Sequence, residues 1–133
     1  METIAKVVAK SQNRTALGAL HAYAAVYPNC SLEQLRTIFN KEVCPDAGVK
    51  NVLLPFEEAI GFNTHMSLYF AKPDEVLTLA DGSRICLSQI WSKASLERLA
   101  AVMADLGIVL DAPDRSQRYD ASGFIAEIWA VFP

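Results

Sequence analysis

A chain of 133 residues, 52% hydrophobic and 20% charged, with a formal net charge of −3, is long enough to bury about two-thirds of its unfolded surface without disulfide or metal support. The acidic balance excludes nucleic-acid binding through bulk positive charge alone, because such binding draws on counterion release by many Lys and Arg. No apolar stretch of the sequence approaches the length needed to span a bilayer.

The first elements are read from helical spacing and caps. Residues 1–12 are expected to be a weak helix or a mobile arm, since Ile4, Val7 and Val8 would share one helical face. From Arg14 to Tyr27 the stripe Leu17, Leu20, Ala24 and Tyr27 predicts a helix capped by Asn13 and ended by Pro28-Asn29. A second helix follows, with Ser31 as N-cap, Gln34 completing a capping box, and Cys30 and Leu35 in the staple positions. Leu32, Leu35, Ile38 and Phe39 would face the core.

Cys44-Pro45-Asp46-Ala47-Gly48 is turn chemistry. Val49 to Leu54 then reads as a short strand and Pro55 to Ile60 as a short helix closed by Gly61, with Glu57 and Glu58 favoured by the dipole of its first turn. Met66, Leu68 and Phe70 alternate as in a strand, and Lys72-Pro73-Asp74 bends the chain. Val76 to Leu79 and Ile85 to Leu87 flank Asp81-Gly82, the residue pair that best accepts the positive φ of a tight hairpin turn. Ser92 or Ser95 caps a helix with Leu96, Leu99, Ala100, Met103 and Leu106 on its buried stripe and Gly107 at its end. Ile108, Val109 and Leu110 predict one more strand, and 111–120 an exposed polar loop. In the tail, Phe124, Ile125, Ile128, Trp129 and Phe132 recur at helical spacing, which favours helix slightly, although their aromatic and β-branched content also suits a strand.

The sum is one domain of α+β class: helices on a small antiparallel sheet with a β-hairpin, plus an apolar C-terminal helix or strand. Its order of elements resembles a winged-helix domain, with Ala16 to Phe39 as the paired helices and Val76 to Ser88 as the wing. The resemblance places the wing tip at Asp81 to Arg84 and the recognition helix at Pro55 to Ile60. Glu57 and Glu58 on that helix would be repelled by phosphates, which counts against major-groove reading. Winged-helix-like modules also serve as protein-interaction domains.

Site chemistry is sparse. Cys30, Cys44 and Cys86 are an odd number at no zinc spacing, with no secretory signal ahead of them, so a reduced, cytoplasmic protein is expected. A thiol nucleophile would need Cys86 beside His65, and nothing in the sequence forces them together. His21 and His65 offer no close ligand pair for a metal, and Glu57-Glu58 diverge on a helix. Neither cofactor nor metal nor membrane is expected. The leading expectation is therefore a non-enzymatic protein-interaction module, an inhibitor or adaptor such as phages and mobile elements carry. It would bind a protein partner or itself through Phe124, Ile128, Trp129 and Phe132. The alternative is a winged-helix DNA-binding regulator that uses Lys6, Lys10, Arg14, Arg36 and Arg84, since the basic residues gather ahead of Asn51 and at the wing.

Overall fold

Alternation along Ala5–Ala9 sets the architecture: Ala5, Val7 and Ala9 are fully buried while Lys6 is exposed and Val8 half-buried. In the computed structural model, which describes residues 2–46 and 50–133, this segment is a strand, β1. The N-terminal residues are thus neither helix nor arm. The strand is held on both sides, in a three-stranded sheet of order β5-β1-β6. Its partners are β5 (Ile108–Leu110), which runs parallel to it, and β6 (Phe124–Ile128), which runs antiparallel. The tail is therefore strand where helical spacing favoured a helix.

One face of this sheet is covered by α1 (Gln12–Val26), whose cap is Ser11 rather than Asn13. The Ser11 hydroxyl accepts from the Arg14 N–H. Most of the α1 surface is buried, and its small residues Ala16, Gly18, Ala19 and Ala22 let it lie close to the sheet. At Gly18 a Cβ would stand 2.5 Å from Val7 Cγ1 and 3.0 Å from the Phe124 ring. The absent side chain is what permits that approach.

A short helix, α2 (Leu32–Arg36), is capped by Ser31, which accepts from the Gln34 N–H at 3.1 Å. The capping box is not completed, because the Gln34 amide donates to the Tyr23 hydroxyl instead. Cys30 and Leu35 are both buried, in keeping with the staple positions.

The second sheet is antiparallel, with order β2-β4-β3: β2 (Leu53–Pro55), β3 (Leu77–Thr78) and β4 (Arg84–Leu87). The part of the expected first strand at Val49, with Ala47 and Gly48 of the turn before it, lies outside the described residues. Between β2 and β3 comes α3 (Phe56–Phe62), which runs through Gly61 and is closed at Asn63. Both faces of this sheet are buried. Leu53, Ile85 and Leu87 join the main core, whereas Leu54 and Cys86 form a second cluster with Ala59 and Tyr69. The 66–70 segment contributes only a single bridge, Tyr69 to Ser88. Its inward residues are Tyr69 and Phe70, with Met66 left exposed.

The hairpin turns at Asp81-Gly82 with a geometry of its own. Gly82 donates to the Leu79 carbonyl at 2.9 Å and Leu79 to that of Ser83 at 2.8 Å. Only Gly82 takes a positive φ, +88°, and Asp81 keeps a negative one. This is a β-turn followed by a left-handed glycine, the arrangement of three-residue hairpin loops. The last helix, α4 (Lys93–Asp105), is capped by Ser92, and Leu99 and Met103 bury its stripe in the main core. The result is a mixed α+β fold with two small sheets.

Candidate interaction surface

The face of the first sheet turned away from α1 has no helix over it. Strand alternation and register place on it Lys6 and Val8 from β1, Val109 from β5, and Ile125 and Glu127 from β6. Lys6 Nζ lies 3.3 Å from Asp111 Oδ2 across this face. Lys6, Val8, Asp111, Gln117, Ile125 and Glu127 line a depression of ≈ 200 Å³ there. The β6 ladder continues one residue further, since the Trp129 N–H donates to the Ile4 carbonyl at 2.8 Å. Trp129 therefore follows Ile125 and Glu127 in phase, and it is 57% exposed. Beyond it Val131 and Phe132 are also exposed, at 54% and 50%.

The four residues expected to form one interface are divided by the strand conformation. Phe124 and Ile128 face α1 and pack against the main core, Phe124 with its ring 5.4 Å from that of His21. Phe132 is tied to the end of α1, where its N–H donates to the Val26 carbonyl at 2.7 Å and its ring stacks on Tyr27 at 5.6 Å. Trp129 stands on the outside. Ile125, not one of those four, joins it on the open face. The signal for this was available: in a strand, 125, 127 and 129 share a side.

The five basic residues are scattered and mostly engaged. Arg14 Nη1 is 2.6 Å from Glu75 Oε2 and donates to the Ser122 carbonyl at 3.0 Å, with its guanidinium 4.8 Å from the Phe70 ring centroid. Arg36 Nη2 donates to the Leu53 carbonyl at 2.9 Å, while its Nε is buried without a hydrogen-bond partner among the described residues. Arg84 pairs with Glu57 at 3.2 Å and lies over the Phe56 ring. The acidic residue that argued against DNA reading thus holds the wing arginine. Lys10 approaches Arg14 over Gly123 and lines a cleft of ≈ 460 Å³ with Ser11, Arg115, Gln117, Tyr119 and Asp120.

The loop 111–120 that forms this cleft is shaped by a repeated device, Asp-X-Ser. Asp81, Asp114 and Asp120 each accept from the N–H and hydroxyl of the serine two residues on, Ser83, Ser116 and Ser122. Those hydrogen bonds hold all three carboxyls below the usual aspartate range. The spacing is legible in the sequence, and it marks where the chain folds sharply on its own side chains.

The titratable groups inside the molecule are arranged for packing. Burial pushes the Cys86 thiol up to about 11, with a partial offset from Arg84, and raises Cys30 as well. Thiols so placed are poor nucleophiles near neutral pH. Cys86 is fully buried while His65 is exposed. No group of three or more His, Cys, Asp or Glu among the described residues could hold a metal ion. No helix among them is long and apolar enough to cross a membrane.

Compared with known proteins, the chain matches no family model, and no curated protein or solved structure is significantly similar to it.

Proposed function

We propose that the chain is a protein-interaction module, acting as an inhibitor or adaptor by binding, with the open face of the first sheet and the segment from Trp129 to Phe132 as its surface. The observation that carries this reading is Trp129, a large aromatic left 57% exposed on an edge strand, with exposed Ile125 on the same face and exposed Val131 and Phe132 following it in the chain. Covering a half-exposed Trp removes roughly 100–150 Å² of apolar area, worth about 3 kcal/mol before the cost of association is subtracted. Trp is also the residue type most enriched among interface anchors.

Less supports the winged-helix alternative and its DNA. Arg14, Arg36 and Arg84 are committed to Glu75, the Leu53 carbonyl and Glu57, so phosphate binding would first have to break interactions inside the protein. Trp129→Ala is the decisive variant. It is expected to melt within a few degrees of the parent while losing at least tenfold in partner binding, read by quantitative pull-down and sedimentation. Unfolding of the variant, or unchanged binding, would overturn the assignment of the surface. A mobility shift with DNA that weakens steeply with added salt would move the reading to the alternative.

A further inference from the structure

We infer that the partner of this surface is a second copy of the chain, joined by antiparallel pairing of two β6 strands about a two-fold axis at Ala126. The inference rests on the interaction-module reading above and specifies its partner. The joined sheet would run β5-β1-β6-β6-β1-β5.

The hydrogen-bond phase of β6 shows what its outer edge offers. Lys10 donates to the Gly123 carbonyl and Trp129 to that of Ile4, so in this antiparallel pair the odd-numbered residues of β6 turn their backbone groups toward β1. The N–H and C=O of Ala126 and Ile128 therefore point away from it. Phe124 finds a local substitute, its carbonyl accepting from the Ser122 hydroxyl at 3.3 Å. Among the described residues no strand lies beyond β6.

The two edges of this sheet are treated differently. On the β5 side the strand has three residues and is followed by Asp111 and Pro113, while the amides of Asp111 and Asp114 turn inward to Val7 and Ala9. These are the usual means of blunting an edge. On the other side β6 keeps five residues in unbroken register, with neither Pro nor Lys.

The β6 strand pairs with itself over its full length in one register. About Ala126, Phe124 meets Ile128, Ile125 meets Glu127 and Ala126 meets its own copy, so all five residues pair. Glu127 then lies between Ile125 of the other copy and Lys6 of its own β1. Centring on Glu127 would set two like charges face to face, which disfavours the pair. In the favoured register Ile125 and Trp129 of both copies lie on the same open face, one apolar strip across the joint.

Pairing chains of Ile125→Cys with chains of Glu127→Cys tests both partner and register. Directly opposed non-hydrogen-bonded residues sit about 4.5 Å apart at Cα, within disulfide reach, while identical residues would be diagonal. The native cysteines are buried and give little background. The mixture is expected to oxidise to covalent dimer at least tenfold faster than either variant alone, and the parent chain to sediment as a dimer at tens of micromolar. Ala126→Pro removes an outward N–H without touching the β1 ladder and is expected to shift the chain to monomer. If that variant does not fold, the cross-linking rates decide. Equal rates in all three samples, or a monomer across the concentration range, would overturn the dimer. A monomer whose Trp129→Ala variant loses a different protein partner overturns the dimer and leaves the interaction module standing; a monomer with no Trp129-dependent partner overturns both.

Discussion

Arg14 shows how far a residue's role depends on neighbours distant in sequence. Read alone it is a surface cation; in the fold it meets Glu75, whose other oxygen accepts from the Lys72 N–H at 3.0 Å. Glu75 is 3% exposed, so removing its partner strands a buried charge. Arg14→Met is therefore expected to destabilise by about 3 kcal/mol, and Arg14→Met with Glu75→Leu to recover most of the loss, as urea midpoints would show. His21 supplies a pH dependence. Burial holds its imidazole below the ordinary value of 6.5, partly offset by the hydrogen bond to the Glu75 carbonyl. Since a carbonyl only accepts, Nε2 carries the proton of the neutral ring. The folded state takes up the second proton less readily than the unfolded chain, so this contribution is complete above 6.5 and is lost as pH falls below it. Unfolding free energy measured from about pH 7.5 to about pH 5 should fall more steeply for the parent than for His21→Gln.

At the scale of elements, two glycines inside helices make opposite predictions. Gly18 lies against Val7 and Phe124, whereas a Cβ at Gly61 on α3 would meet nothing within 4 Å. Gly18→Ala is expected to cost about 1 kcal/mol or more through overpacking despite the better helix former, while Gly61→Ala should gain about 0.5–1 kcal/mol. Thermal or urea unfolding of the two variants checks the pair. Several caps and turns were legible in the sequence: Ser31, Gly82 and Ser92, the first of the two serines offered, act where their chemistry placed them, because those signals are local, although α1 is capped by Ser11 and not Asn13. The strand β1 was not legible, and β6 stayed open between helix and strand, for one physical reason. Val8, Ile125 and Trp129 are apolar residues on the open side of the sheet, so the expected alternation of apolar and polar positions is broken and the remaining spacing mimics a helix. The feature that hid these strands is the same one that makes up the candidate surface: apolar content puts Trp129 in the expected set, but only the strand phase puts Ile125 on the same face.

Across the whole molecule the two buried clusters differ in size. The main one draws on β1, α1, α4 and both sheets, while the second is Leu54, Ala59, Tyr69 and Cys86 with the flanking residues of α3. That helix has seven residues and no side-chain cap at Pro55. Local opening should begin there, since stability follows buried apolar contact. In native-state hydrogen exchange the amides of α3 are expected to exchange ahead of those of α1 and β1; simultaneous exchange would show that the clusters open as one.

The place of β1 bears on how the chain reaches this state. Ala5 pairs with Ile108 on one side and Ile128 on the other, so neither edge of the strand is satisfied until segments far along the chain have folded back to it. Such remote pairing must close long loops before it is rewarded, and it slows folding. Until then α1, with Leu17, Leu20 and Val26 destined for the interior, lacks the sheet it covers. The helix with the most buried residues thus stays uncovered until β5 and β6 have joined β1, and a folding chain that has not yet reached that stage exposes apolar surface prone to aggregation.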